Sequence, residues 1–103
     1  MFIGTSIHEI VSKVKNKELS VVDIANECLS VYKKFNCLYK VWTCFDRGIF
    51  IAAANNSDNR ISKGGKIRDL EGNPIGVKDI FNTVDFPTQM GSPIWKNFTP
   101  GND

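Results

Sequence analysis

Among the residues able to do chemistry, Lys78 has the most unusual setting. It lies in the run Pro74-Ile75-Gly76-Val77-Lys78-Asp79-Ile80-Phe81. By strand alternation, Ile75, Val77, Asp79 and Phe81 share one face, and Gly76, Lys78 and Ile80 share the other. A lysine between glycine and isoleucine has little company to hydrate it. Burial disfavours an ammonium, and a lysine neutral near pH 7 can serve as a general base. Gly76 leaves room beside it for a partner group to approach. The competing reading is a strand-edge lysine that snorkels to water. Asp79 has three readings: pairing with a cation, a hydrogen bond to the following loop, or a hydrated place at the strand end.

The other candidates carry less. His8 is the one histidine, so Ser–His–Asp or Cys–His catalysis would have to run through it. It falls on the polar side of an expected helix, where an exposed, inert histidine is the simpler reading. Gly91-Ser92 reads as turn chemistry, since nothing near Ser92 supplies a base or an oxyanion hole. No G-x-S-x-G, G-x-G-x-x-G or complete phosphate loop occurs; Gly64-Gly65-Lys66 lacks both the upstream glycine and the following hydroxyl residue. Cys28, Cys37 and Cys44 are odd in number and form no C-x-x-C pair, which argues against a zinc set or a disulfide framework. They read as reduced thiols of a cytosolic protein.

Composition narrows the function classes. The chain has 103 residues, enough for one small domain. Thirteen basic against 11 acidic residues give a net charge of +2, too slight for a nucleic-acid footprint. With 42% apolar and 23% charged residues the chain should fold rather than stay disordered. Its longest apolar stretch, residues 49–54, is far short of the ~20 residues a bilayer requires. The first ten residues contain no Lys or Arg and no long apolar core, so no secretory leader is expected, and a cytoplasmic location is. The sequons at Asn55 and Asn97 then read as chance.

The elements that must position Lys78 begin with two capping boxes. Ser6 with Glu9 starts a helix whose apolar face is Ile7, Ile10, Val11 and Val14. Lys13, Lys15 and Lys17 suit its C-terminal end, and Asn16 can take the left-handed turn that stops it. Ser20 with Asp23 starts a second helix carrying Val21, Ile24, Ala25, Cys28, Tyr32 and Phe35. Residues 1–38 should thus form a helical hairpin. Residues 39–81 read as strand, helix, loop and strand. Tyr39, Val41, Trp42 and Phe45 favour a short extended segment over 38–45. Asp46 caps a third helix to about Ile61, with Ile49, Ala52, Ala53 and Asn56 inward; 62–72 is a surface loop. The strand at 74–81 is apolar on both faces, as in a covered parallel sheet, yet one or two strands alone are marginal. Residues 82–103, with recurrent proline and glycine, are loop-rich.

Taken in order, these segments resemble the amidase signature family. Glu18-Leu19-Ser20 is similar to the family's G-E-L-S entry to its second helix. Ala54-x-x-x-Asp58 resembles its A-x-x-x-D stretch. Residues 70–79, Leu-Glu-Gly-Asn-Pro-Ile-Gly-Val-Lys-Asp, resemble its L-x-G-I-P-I-G-V-K-D strand, and Thr88-Gln89-Met90-Gly91-Ser92 resembles the T-T-x-G-S loop that follows. Asn73 stands where the family has an apolar residue, and Gln89 replaces the second threonine.

The resemblance implies an α/β fold: an N-terminal helical layer plus the first core strands of a mixed sheet, incomplete in this chain, with residues 1–103 as the N-terminal part of a single domain. It also implies amide hydrolysis by a Ser–cis-Ser–Lys triad with Lys78 as the catalytic lysine. That lysine, held neutral, draws a proton through a bridging serine from the nucleophilic serine, which forms an acyl-enzyme. No metal or organic cofactor is implied. The expected partner is a small-molecule amide substrate of the full-length protein, with neither nucleic acid nor membrane, and the oligomeric state stays open. Both triad serines are expected downstream, in a Gly/Ser-rich stretch absent here, so this chain alone should be inactive. Two alternatives stand beside it: a small non-catalytic helical interaction module, and, within the family, a tRNA-dependent amidotransferase A subunit.

Overall fold

The computed structural model describes residues 4–103; residues 1–3 of the expected hairpin lie outside the described residues. Two compact units emerge. The first joins the described residues up to Lys40 with Asp46–Pro74, and the second joins Val41–Phe45 with Ile75–Asp103.

In the first unit, α1 (Ile7–Lys15) opens on the capping box at Ser6. The Ser6 hydroxyl accepts from the Glu9 amide at 3.2 Å, and the Glu9 carboxylate accepts from the Ser6 amide at 2.9 Å. Ile10, Val11 and Val14 are buried, whereas Ile7 is exposed. The helix stops at Asn16, but the left-handed residue is Lys17, at φ 60°. The amides of Lys17 and Glu18 donate back to the carbonyls of Val14 and Lys13. That double closure is a Schellman motif, which places the left-handed residue one position after the cap.

The second capping box also forms. At the start of α2 (Val21–Tyr39), Ser20 Oγ accepts from the Asp23 amide at 3.0 Å, and Asp23 accepts from the Ser20 amide at 3.1 Å. Val21, Ile24, Ala25 and Leu29 are buried. Beyond them the apolar stripe emerges from cover: Cys28 and Tyr32 are half-buried, and Phe35, Leu38 and Tyr39 are exposed. The helix continues through Tyr39 to a left-handed Lys40 at φ 51°. Each added residue gains a hydrogen bond once the helix is nucleated, and no breaker intervenes before that cap. The extended segment expected over 38–45 therefore starts helical, and 40–45 has no regular structure.

α3 (Arg47–Ser62) is capped by Asp46, which accepts from the Ile49 amide at 2.9 Å. Its inward face differs from the expected one. Ala54 is its buried residue, flanked by half-buried Phe50, Ile51 and Ile61, while Ile49, Ala52, Ala53 and Asn56 are exposed. The true face follows 50, 54, 58 and 61 at helical spacing and includes a charged residue, Asp58. The core is small: Ile10, Val14, Val21, Ile24, Ala25 and Ala54. Each fully buried aliphatic side chain contributes only about 1.5–3 kcal/mol, so hydrogen bonds at its rim carry weight.

The second unit holds a 3-10 turn, Pro93–Trp95, and otherwise irregular chain. No strand occurs among the described residues. The strand expected over 74–81 ends in a turn instead, where the Phe81 amide donates to the Lys78 carbonyl at 3.1 Å. A strand exists through its ladder, and none of the described residues supplies one. The α/β layering is accordingly not present in these residues, which are helical where they are regular. No helix among them is long and apolar enough to cross a membrane.

Candidate functional site

Three polar clusters organise the segments singled out in the sequence. The first joins Glu18-Leu19-Ser20 to Ala54-x-x-x-Asp58. An α-helix begins with four amides lacking intrahelical acceptors. Asp58 accepts from the amides of Val21 and Val22, at 2.8 and 3.0 Å, while Ser20 takes the Asp23 amide. The positive end of the α2 dipole also favours the carboxylate. Ala54, one turn earlier on α3, is small and buried in the core. The two motifs are thus the two halves of one helix–helix joint.

The second cluster is Glu71, which the sequence placed in a surface loop but whose side chain is fully buried. It accepts from Arg60 at the end of α3 and from the Arg68 amide and guanidinium, the latter two at 3.1 Å to one oxygen. Burial pushes the Glu71 carboxyl up, but the hydrogen bonds from Arg68 and Arg60 outweigh it and hold it at about 2. The adjacent Gly72 has φ 76° and passes over the first turn of α2, where an added Cβ would meet Ile24 at 3.1 Å and Val21 at 3.2 Å. Both clusters brace the chain that leads to residue 74. An inward charge on α3 and a buried glutamate in a glycine-containing loop leave no trace in hydrophobic periodicity. The signals that existed were the i, i+4 step from Ala54 to Asp58 and two arginines within reach of one glutamate.

The third cluster surrounds Lys78, whose side chain is exposed. Next to it, Asp79 takes the second of its three readings. Its carboxylate accepts from the Gln89 amide at 2.8 Å, and its carbonyl accepts from the Met90 amide at 2.9 Å. Thr88, fully buried, donates its hydroxyl to the Phe81 carbonyl at 3.0 Å and its amide to the Phe98 carbonyl at 2.7 Å. The Ser92 amide donates to the Gln89 carbonyl at 2.9 Å, closing a turn through Met90 (φ 54°) and Gly91 (φ 66°). Left-handed backbone costs a residue such as Met about 1–2 kcal/mol, which the surrounding bonds must offset. Gln89, the departure from the family pattern, accepts from the Asn97 amide through its side chain at 2.9 Å. The room beside Gly76 is occupied: a Cβ there would lie 2.8 Å from the Trp42 ring. The lysine-bearing segment and the Thr88-to-Ser92 loop are therefore held together.

The remaining candidates stay apart from this cluster's bonding. His8 is exposed in the first turn of α1. Cys37 and Cys44 are exposed, and Cys28 is half-buried, where burial and the nearby Glu27 charge push its thiol up and away from the reactive thiolate. Among the described residues, no three His, Cys, Asp or Glu side chains converge as a metal site requires.

Comparison with known proteins finds relatives of this chain. The family model described as Amidase matches residues 23–103. Similar relatives include the A subunit of the mitochondrial glutamyl-tRNA(Gln) amidotransferase of Canis lupus familiaris, 30% identical over 95% of this chain and 18% of the relative. The corresponding A subunit of Mycobacterium leprae glutamyl-tRNA(Gln) amidotransferase is 34% identical over 86% of this chain and 20% of its own length. That of Trichodesmium erythraeum is 37% identical over 92% and 20%. The chain thus spans about a fifth of the length of these curated relatives. No solved structure matches it.

Proposed function

The chain belongs to the amidase family, and on that premise we propose that residues 1–103 are the N-terminal part of one amidase domain and supply its catalytic lysine, Lys78. The observation that carries this is the bonding of the Gly76-Val77-Lys78-Asp79 segment to the Thr88-to-Ser92 loop, the two most specific motifs of the resemblance, through Asp79 and Thr88. In the complete domain, 74–81 is a strand of a mixed sheet with helices over it. Two serines from a later Gly/Ser-rich stretch complete a Ser–cis-Ser–Lys relay. The amine of Lys78 accepts the proton that the bridging serine passes on as the nucleophilic serine attacks the amide carbonyl. A C–O bond forms, the acyl-enzyme follows, and the amine leaving group takes a proton back through the same relay.

Such a base must be uncharged when it works, and burial is the means of favouring that form. Lys78 is exposed among residues 4–103. The cover that would desolvate it comes, on this proposal, from the rest of the domain. The 103-residue chain alone is expected to show no amide turnover, because base and nucleophile must lie within hydrogen-bond reach. In the natural polypeptide carrying this segment, Lys78→Met should lower turnover by about a thousandfold or more, and Lys78→Arg should be no better, since a guanidinium stays protonated. Parent-like turnover in either variant would refute the assignment.

A second reading is favoured by the relatives named above, which are the A subunits of glutamyl-tRNA(Gln) amidotransferases. On it, the amide nitrogen is released for transfer rather than lost to water, and the protein works beside other polypeptides of a complex. Glutamine hydrolysis that rises when those partners are added would support this form, and full activity of the purified polypeptide on simple amides without partners would favour the plain hydrolase.

A further inference from the structure

We propose that Asp79 is a positioning residue, which acts by holding the Lys78 segment in register with the turn formed by residues 89–92. The proposal rests on the reading of Lys78 as the base. Three bonds tie residues 79–81 to residues 88–90, and Asp79 makes two of them. Its carboxylate and its own carbonyl accept from consecutive amides, those of Gln89 and Met90. A residue holding two successive amides fixes both the distance and the direction of the loop relative to its own backbone. Lys78 is covalently next to that anchor, and Gly91 and Ser92 follow directly after the held amides. Met90 sits in left-handed backbone at φ 54°, which persists only where its surroundings enforce it, and the bond from its amide to Asp79 is part of that enforcement. The carboxylate is aimed at a backbone amide, so its part is geometric rather than proton transfer.

This reasoning separates two substitutions that a charge-based role would not. Asp79→Ala removes the acceptor for the Gln89 amide. Asp79→Asn keeps a neutral acceptor of the same length and loses only the charge. A base displaced by about 1 Å can lose on the order of a hundredfold in rate without a comparable loss of substrate binding.

The test measures kcat and KM of the natural polypeptide that carries this segment, together with amide hydrogen exchange in the 103-residue chain. Asp79→Ala is expected to lower kcat about a hundredfold with KM changed less than about threefold, and Asp79→Asn to stay within about fivefold of parent. In exchange, the Gln89 and Met90 amides should open at least about tenfold faster in Asp79→Ala and near the parent rate in Asp79→Asn, with the Ile24 amide unchanged in both. Parent-like kcat in Asp79→Ala, or unchanged Gln89 exchange, overturns the proposal. So does an Asp79→Asn variant as inactive as Asp79→Ala while its Gln89 amide stays protected, because the charge would then be what matters. Should Asp79→Ala lose the fold, the Asp79→Asn arm decides alone by the same kcat and exchange criteria. Lys78→Met separates the two levels: if it keeps parent turnover, the reading of Lys78 fails; if it is dead while Asp79→Ala is parent-like, only the positioning role fails.

Discussion

Removing the Asp58 carboxylate should unseat the start of α2. Asp58 accepts from two amides of the first turn, at 2.8 and 3.0 Å, in a half-buried joint between α3 and α2. A hydrogen bond to a charged group contributes about 1.5–3 kcal/mol, and the favourable end of a helix dipole adds about 0.3–1 kcal/mol. Two such bonds would sum to more than most caps are worth, since losing an ordinary N-cap costs about 0.5–2 kcal/mol. Water can reach a half-buried site and recover part of the loss, and the Ser20–Asp23 box remains. The net cost of Asp58→Ala is therefore about 2–3 kcal/mol, and that of Asp58→Asn, which keeps one neutral acceptor, about half as much.

All three α-helices of the described residues lie in the first unit, so far-ultraviolet circular dichroism reports its unfolding. With a urea slope near 1 kcal/mol per molar for so small a unit, Asp58→Ala should move the midpoint down by about 2–3 M. Hydrogen exchange should show the Val21 and Val22 amides losing protection before those of Leu29 and its neighbours. Ser20→Ala, which frees the Asp23 amide, should cost about 1 kcal/mol. An Asp58→Ala chain within 0.5 kcal/mol, roughly the scatter of a neutral surface change, with Val21 and Val22 still protected, would refute the joint as the source of stability.

Three further outcomes are expected. Glu71 is held at about 2, against an ordinary carboxyl value of 4.5. Its contribution is fully present above pH 4.5 and is lost as pH falls through about 2, so Glu71→Gln should flatten the acid end of a stability-against-pH curve. Linkage alone would make that contribution about 3 kcal/mol; half-buried Arg60 and exposed Arg68 are partly screened by water, which reduces it to about 1–2 kcal/mol. Gly72→Ala should cost about 1–3 kcal/mol in the same urea assay, because a Cβ at φ 76° also crowds Ile24 and Val21. Thr88→Val should loosen the second unit by about 1–2 kcal/mol by leaving the Phe81 carbonyl without its donor, and Thr88→Ser should restore it, as read from exchange at the Thr88 and Gln89 amides.

What the sequence disclosed depended on whether the governing interaction was local. Both capping boxes were legible because a hydroxyl and a carboxylate three residues apart meet within one turn, whatever the rest of the chain does. The third helix and its Asp46 cap were legible for the same reason. The inward face of α3 was misjudged because Asp58 faces in to serve α2, whose first amides are distant in sequence. Periodicity counts apolar residues and has no means of scoring an inward charge. Glu71 was taken for loop polarity, since its burial depends on two arginines converging on it. The left-handed residue after α1 was placed on Asn16 from residue preference, but the Schellman bonds determine the position and put it on Lys17. At the candidate site, the motif order was fully legible. The bond from Asp79 to the Gln89 amide was one of three open readings, decided only by the fold of the loop.

The exposure of the 74–81 segment runs against its composition and bears directly on the lysine within it. Ile75, Val77, Ile80 and Phe81 are all more than half exposed among the described residues, although their side chains are those of a covered strand. Covering what remains exposed of these four side chains would contribute on the order of 4–7 kcal/mol toward the cost of ordering the segment, and a ladder with neighbouring strands would have to supply the rest. Lys78 lies between Val77 and Asp79, so a surface that covers both faces of the strand must also exclude water from the lysine. On the proposed function, the apolar burial that orders the strand and the desolvation that favours a free amine are then one event. The joints at Asp58, Glu71 and Asp79 need none of that cover, because each is closed by bonds within its own unit. Within the second unit, Asp79 and Thr88 brace the far end of the segment. On the proposed function, the lysine is the part whose chemistry waits for the rest of the domain.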